Sequence, residues 1–357
     1  MERADALGVS TRPHVLFAGD PRPCTFGSSN SSHESPSLVW PLIRHAVTRV
    51  RGGQYLGTPW DNRRVNIGLH ALGIGAGADP AVIEAVARAT DGAGFSTLWS
   101  GEHVVMVDRP DSPYPYAPDG RISVPSDADW LDPLVTLAYV AAVTSRIRVA
   151  TGILLLPQHN PILVAKQAAS LDVLSKGRFV LGVGIGWSSE EFAALGVPFR
   201  GRARRNREYV EAMRTLWHDG VASFEGEFAH FQEVRCYPKP YRDRRIPVVL
   251  GGNSDAALDR TVSYGDGWYG FNLSIGEIPE RIDALLSRCR LMGRDPASLE
   301  IAVSLRDGSP EVIATLTELG VDELVVVESP PMSPEDVAGW VAALAERWGV
   351  TTDGLRL

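Results

Sequence analysis

Side chains that could move protons stand directly after two short apolar runs. Glu102 and His103 follow the run 95–99, and His70 closes the run 65–70. Because imidazole exchanges protons near neutral pH, His103 is the candidate proton donor or acceptor. We expect Glu102 to orient it. We expect His70 to line the substrate side of the same site.

Glycines cluster after three other apolar runs. Gly152 and Ile153 follow the third run, and the fourth leads into Gly184-Ile185-Gly186-Trp187. Gly251-Gly252-Asn253-Ser254 precedes a helical pattern, so its free N–H groups could bind a phosphate, or the glycines could simply form a tight turn.

Other polar and aromatic residues have two interpretations each. Trp99 and Trp187 could line the pocket or belong to the core, and His159 is expected to lie in a loop and contact solvent. Five arginines are candidates for binding an anionic cofactor tail, or they form a solvated helix start: Arg200, Arg202, Arg204, Arg205 and Arg207.

The elements that position these residues alternate between strands and helices. Eight short apolar strands are predicted, at 65–70, 95–99, 147–153, 179–184, 247–250, 268–271, 299–305 and 323–327. An Asp, Asn or Ser followed by Pro predicts helix starts at 79, 132, 160, 309 and 333. A helix is predicted near 203–218, followed by an irregular or hairpin insert at 224–237.

Eight such units over residues 65–357 predict a (β/α)8 TIM barrel, whose chemistry lies at the carboxyl ends of the strands. A doubly wound sheet is the competing fold. Its dinucleotide fingerprint, Gly-x-Gly-x-x-Gly, is lacking after the first strand, where Gly73, Gly75 and Gly77 have a different spacing.

Composition excludes several classes of protein. The 357 residues carry a formal charge of −8 and only three cysteines, which argues against a nucleic-acid binder and a disulfide scaffold. No apolar run is long enough for a membrane span, and no Cys/His spacing indicates a metal. Residues 1–64 are net positive, unlike the acidic remainder. We expect them to be a disordered tail or the product of a start assigned upstream of the native one.

The motifs together resemble the luciferase-like monooxygenase superfamily, most closely its actinobacterial branch of coenzyme F420-dependent oxidoreductases. The matching stretches are 98–103, 151–161, 177–187 with Glu190-Glu191-Phe192, and 251–258 with 265–268. They cover 65–305 and none of the segment before it.

The resemblance implies a flavin or deazaflavin ring lying across the strand ends, against a non-prolyl cis peptide at Gly152–Ile153. His103 matches a histidine near the reacting face of the cofactor. The cofactor-binding positions implied are Ile185, Gly186, Trp187, Gly251, Gly252 and Asn253, with backbone N–H groups holding the phosphate.

Two positions depart from the deazaflavin-dependent dehydrogenases. Val107 stands where some of them carry tryptophan, and Trp187 where they carry glutamate. We therefore do not expect this chain to use their sugar or alcohol substrates.

We expect a cytoplasmic oxidoreductase that transfers hydride between coenzyme F420 and a small organic substrate. One alternative is a two-component monooxygenase that uses reduced FMN and oxygen, and a second is a non-catalytic flavin-binding barrel. The resemblance also implies a homodimer formed through barrel helices and, for the reduced cofactor, a flavin or F420 reductase as partner.

Overall fold

The computed structural model describes residues 64–241 and 245–351. The expectation for residues 1–64 falls almost wholly outside this range and stays a prediction. None of the described helices is both long and apolar enough to cross a membrane.

Ten strands are present in the described residues. They are β1 (Asn66–Leu72), β2 (Thr97–Ser100), β3 (Arg148–Thr151), β4 (Phe179–Val183), β5 (Ala222–Glu225), β6 (His230–Val234), β7 (Val248–Gly251), β8 (Gly267–Leu273), β9 (Glu300–Leu305) and β10 (Glu323–Val327). Eight of them close into a barrel in the order β1-β10-β9-β8-β7-β4-β3-β2, and every neighbouring pair is parallel. This confirms the predicted (β/α)8 barrel. Strands β5 and β6 form the predicted hairpin insert.

Helices follow the strands and cover the barrel. They are α1 (Pro80–Ala93), α2 (Pro133–Val143), α3 (Pro161–Leu174), α4 (Ser189–Ala194), α5 (Arg202–His218), α6 (Asp255–Tyr264), α7 (Glu277–Leu291), α8 (Val312–Glu318) and α9 (Pro334–Trp348).

Capping residues begin several of these helices where the sequence predicted. The side chains of Asp79, Asp132 and Asn160 each accept backbone N–H bonds from the first turn of the helix that follows. The predicted start at Ser309 is wrong, because α8 begins three residues later. The carbonyl of Ser309 accepts the N–H of Val312, and this hydrogen bond closes a separate turn before the helix.

The strand ends differ slightly from prediction, which shifts the site residues. Strand β1 continues to Leu72, so His70 lies within it, and the register against β2 shifts between those two residues. Strand β3 stops at Thr151 instead of continuing to Ile153, because the chain turns out of the sheet there.

Two apolar layers surround the strands. The barrel interior is filled by Trp99, Ala150, Val180, Val249, Tyr269, Ala302 and Val325, contributed by seven different strands. The larger core lies between the strands and the helices. Because the interior is packed solid, the carboxyl ends of the strands are left as the place for a ligand.

Candidate active site

A backbone bulge stands at the centre of the barrel mouth. The Gly152–Ile153 peptide is cis, as the resemblance implied. The neighbouring strands make room for the Ile153 side chain with glycines. A Cβ would lie 2.1 Å from Ile153 Cδ1 at Gly184 and 2.5 Å from it at Gly251. These two glycines are therefore needed for the bulge itself.

Trp99 and His70 lie on the other side of the bulge. A Cβ on Gly152 would lie 3.2 Å from Trp99 Cβ and 3.4 Å from His70 Cε1. Trp99 is 1% exposed, donates its indole N–H to Glu323 over 3.1 Å, and packs on Tyr269. Trp99 therefore forms the floor under the bulge.

His70 is a neutral histidine in this site. It is buried, and burial lowers its pKa to about 4. Its Nδ1 atom is buried without a hydrogen-bond partner among the described residues. The ring lies next to Phe271 in a tilted arrangement, with ring centroids 6.4 Å apart. This placement next to the bulge fits the predicted role on the substrate side.

His103 is held by a carboxylate that the sequence did not identify as its partner. Its Nδ1 lies 3.0 Å from Glu191 Oε2, and the two side chains are 8% and 1% exposed. The other carboxylate oxygen accepts the backbone N–H of Val104. Burial opposes ionisation of Glu191, but the hydrogen bonds and charge of His103 outweigh it and lower the pKa of that carboxyl.

The predicted pairing of Glu102 with His103 is wrong. The Glu102 carboxylate instead accepts the N–H of Leu155 and lies 2.9 Å from His159 Nε2. The two side chains point apart because they are neighbours in extended chain at the end of β2. His159 is likewise not a solvent-satisfied loop residue. Burial lowers its pKa, but the bond and charge of Glu102 raise it above the ordinary value.

Glu190, the neighbour of Glu191, holds the long loop after β2. Its carboxylate accepts the N–H groups of Asp111 and Ser112. Burial opposes its ionisation, but these and other hydrogen bonds lower its pKa to about 2. The local sequence pattern at this point is that of a helix start, because Ser188 caps α4 and the two glutamates follow in the first turn. Sequence reasoning therefore missed that both glutamates contact the loop after β2.

Loop 101–132 brings three aromatic rings to the mouth. Trp130 donates its indole N–H to the carbonyl of Gly101, and the carbonyl of Tyr116 accepts from the Asn272 amide. Tyr114 packs edgewise on Trp187 and on Tyr116. A cavity of about 320 Å³ lies beside Tyr116, between the loop and α7.

Two glycines with left-handed backbone conformations mark the side of the mouth between β4 and β7. Gly186 has φ +74° and Gly252 has φ +123°. Ile185 is half-buried next to the first of them, and the indole nitrogen of Trp187 is buried without a partner among the described residues. The site residues predicted from β4 and β7 therefore stand at the ends of two neighbouring strands. We call the space between these two strand ends the groove between β4 and β7.

Asn253 does not offer its side chain to that groove. Its amide nitrogen donates to the carbonyl of Phe271, and its amide oxygen accepts the N–H of the same residue. The side chain therefore ties the end of β7 to β8, and the prediction that it binds the cofactor is wrong for the side chain.

Of the five clustered arginines, only Arg202 reaches the strand ends. Its Nε donates to the carbonyl of Gly186 over 3.1 Å. Arg204 pairs with Glu227 at the surface. Arg207 likewise pairs with a glutamate, Arg205 is buried and binds a backbone carbonyl, and Arg200 is exposed.

Arg260 on α6 is a second cation that sequence reasoning missed. It is half-buried and has no hydrogen-bond or ion-pair partner among the described residues. Burial lowers the pKa of Arg260, and burial together with the charge of Arg260 lowers the pKa of Arg202. Two neighbouring guanidinium groups that form no ion pair with a carboxylate among the described residues are suited to an anion.

Comparison with known proteins gives consistent matches. The family model described as luciferase-like monooxygenase matches residues 66–306. Uncharacterized protein Rv0953c from Mycobacterium tuberculosis is 36% identical over 266 residues, which cover 74% of this chain and 92% of that protein. The FMNH(2)-dependent dimethylsulfone monooxygenase of Pseudomonas putida is 28% identical over 66% of this chain and 69% of its own length.

Solved structures share the fold at lower identity. An F420-dependent secondary alcohol dehydrogenase in complex with an F420-acetone adduct superimposes with a TM-score of 0.60 at 18% identity. The match covers 78% of this chain and 98% of that one. Monooxygenase RslO1 from Streptomyces bottropensis superimposes with a TM-score of 0.64 at 20% identity, over 79% of this chain and 98% of that one.

Proposed function

We propose a reaction for this chain, which belongs to the luciferase-like monooxygenase family. The reaction is the transfer of hydride between coenzyme F420 and a small organic substrate at the barrel mouth. The observation that carries this proposal is the buried pair of His103 and Glu191, because hydride transfer to or from a carbon needs a partner that moves one proton. The F420-dependent alcohol dehydrogenase with the same fold supports it.

The groove between β4 and β7 fits the phosphate of the cofactor. Arg202 and Arg260 supply two positive charges on this side of the mouth. A Cβ would lie 2.7 Å from Phe192 at Gly186 and 3.0 Å from Ala257 Cβ at Gly252, so both turns need glycine. Their backbone N–H groups would hold the phosphate, and the Gly152–Ile153 bulge would face the ring system.

When bound, F420 supplies a carbon that accepts or donates hydride and reacts poorly with oxygen. The protein completes the reaction with a proton. Since Glu191 accepts from Nδ1, the Nε2 atom of His103 is left to give a proton to the substrate oxygen or to take one from it. In the reducing direction the substrate gains one hydride and one proton.

A second candidate is the FMN-dependent monooxygenase reaction. The dimethylsulfone monooxygenase relative favours it, because its name states the use of FMNH(2). In that case a separate reductase supplies reduced flavin and oxygen is the co-substrate. The phosphate groove and the bulge would serve FMN equally well.

Titration of the purified chain with F420 and, separately, with FMN decides between the two cofactors. Quenching of tryptophan fluorescence reports binding. We expect a dissociation constant for F420 at least tenfold lower than that for FMN. Micromolar FMN binding with no F420 binding would support the monooxygenase instead.

The two arginines offer a test of the groove. Arg260→Met removes one charge-assisted contact, worth about 1.5–3 kcal/mol, and should weaken cofactor binding roughly 10- to 150-fold. Arg204→Met is the matched control, because Arg204 is paired with Glu227 at the surface. Equal affinities in the two variants would place the phosphate elsewhere.

We further propose that a second copy of this chain covers α2 and α3, which pack side by side. Helix α2 contains no charged residue, and Val135 on α2 and Leu163 on α3 are 70% and 63% exposed. A patch of this kind is self-complementary across a two-fold axis. Light scattering should give a dimer for the native chain and a monomer for Val135→Asp. Leu291→Asp, at an 87% exposed site on α7, should leave the dimer intact.

A further inference from the structure

A continuous series of aromatic rings lies at the mouth of the barrel. Each ring contacts the next, with centroids between 4.8 and 5.8 Å apart, along Trp130, His103, Trp187, Tyr114, Tyr116 and Phe271. We call these six residues the aromatic enclosure. These contacts are edgewise, which is one of the geometries that pairs of aromatic rings favour.

The carboxylates next to the aromatic enclosure are already paired within the protein. The Glu191 carboxylate is shared by His103 and the N–H of Val104. The Glu102 carboxylate is turned toward His159. An ionic substrate group at the bulge would therefore lose its water without gaining a free counter-charge.

In the proposed function, the two arginines near the mouth that form no ion pair among the described residues bind the phosphate in the groove between β4 and β7. Arg202 is bound to the carbonyl of Gly186, and the charge of Arg260 acts on Tyr116 at the far end of the enclosure. The arginines of the cavity beside Tyr116 are partnered. Arg281 pairs with Asp255, and Arg306 donates to a backbone carbonyl.

The buried polar atoms without a hydrogen-bond partner among the described residues include one on His70 and one on Trp187, and both are suited to bind a ligand. The Nδ1 atom of His70 and the indole nitrogen of Trp187 are both buried and have no partner among the described residues. His70 is neutral because burial disfavours its charged form, so it offers a hydrogen bond and no charge. A few such polar atoms within an apolar wall orient a ligand.

We infer that the reacting substrate is an uncharged, flat, conjugated carbonyl compound bound within the aromatic enclosure. This inference rests on the proposed function. The flat faces of the substrate pack against the rings, and its oxygen takes the few hydrogen bonds available. In the reducing direction the bound reduced cofactor would supply the hydride to a carbon of the conjugated system and be oxidised by two electrons. His103 would give the proton, so that the substrate gains one hydride and one proton.

The test compares two ring compounds that differ in charge. Cyclohex-2-enone is the neutral probe, and 3-oxocyclohex-1-ene-1-carboxylate is its anionic counterpart. Both are titrated into the holoprotein carrying whichever cofactor binds, and tryptophan fluorescence gives the dissociation constants. We expect the neutral probe to bind at least tenfold more tightly.

Variants then locate the probe. Tyr114→Leu should weaken binding of cyclohex-2-enone about fivefold or more and leave the dissociation constant of the cofactor unchanged. Phe224→Leu is the matched control, because Phe224 is a half-buried aromatic residue on the hairpin, stacked on Phe231. It should change neither constant.

The outcomes separate this inference from the proposed function. Cofactor binding together with equal or tighter binding of the anionic probe would overturn the substrate class and leave the proposed function standing. Equal effects of Tyr114→Leu and Phe224→Leu would also overturn it. Failure to bind either cofactor would contradict the proposed function and remove the basis of the inference as well.

Discussion

The substitution Glu191→Gln removes one charge from the candidate active site and little else. Glutamine has the same shape, so its amide oxygen can still accept the N–H of Val104. The amide NH₂ then faces His103 Nδ1, which has to accept a hydrogen bond instead of donating one. An imidazolium has no such acceptor, so the protonated form of His103 loses its partner in the variant.

The size of the effect follows from the geometry of the pair. Nδ1 and Oε2 are 3.0 Å apart, and the side chains are 8% and 1% exposed. At an effective dielectric of about 20 the attraction of opposite charges at this separation is about 5–6 kcal/mol, before the cost of removing them from water. The net value of a hydrogen bond to a charged group is about 1.5–3 kcal/mol. We therefore expect kcat to fall roughly 10- to 150-fold.

Stopped-flow mixing of reduced holoenzyme with cyclohex-2-enone measures the hydride-transfer rate through the absorbance of the cofactor. The dissociation constant of the cofactor should not change. Glu190→Gln is the control, because it weakens the hydrogen bond from the backbone N–H of Asp111 and leaves the contact of His103 with Glu191 unchanged. An unchanged rate in Glu191→Gln, or equal losses in both variants, would refute a positioning role for Glu191.

Three further predictions concern stability, measured by urea unfolding. Since His70 has a pKa of about 4 when folded and 6.5 when unfolded, the unfolded state binds more protons between these values. His70 should therefore contribute a fall in stability of up to about 3 kcal/mol as pH drops from 6.5 to 4, and His70→Asn should remove that contribution. Gly182→Ala puts a Cβ 2.0 Å from the carbonyl oxygen of Thr151 and should cost at least about 2 kcal/mol, whereas Gly92→Ala in α1 meets open space and should stabilise slightly. Burial raises the pKa of Glu323, so Glu323→Gln should cost less stability than Glu323→Ala, which should lose about 2–4 kcal/mol by leaving a cavity and an unpaired indole N–H.

The barrel was predictable because its signals are local. Short apolar strands buried on both faces, and a capping residue followed by proline, are encoded within a few residues of the sequence. Asp79 and Asp132 cap the helices that they were predicted to cap. Errors in the barrel were confined to the ends of elements, such as the start of α8 and the end of β1, where a shift in register extends the strand beyond His70.

The partners of the site residues were not predictable in the same way. His103 and Glu191 are 88 positions apart and meet only because β2 and β4 open onto the same face of the barrel. The local pattern around Glu191 was fully explained by a helix start. Arg260 stands in an ordinary surface helix pattern, and nothing local distinguishes it from the arginines that are paired.

The order of strands in the barrel gives the proposed site a direction. Strands β4 and β7 are neighbours and border the groove with Arg202 and Arg260, while β3 and then β2 follow on the other side of β4. In the proposed function, residues at the ends of β4 and β7 would hold the phosphate of the cofactor. The bulge after β3 and His103 after β2 would face its ring, because the side of the mouth beyond β7 is closed by the Asn253 contact with Phe271. The anion site and the proton donor are thus separated by one strand. A long cofactor with its negative charge at one end can span this distance, whereas a small anionic substrate cannot.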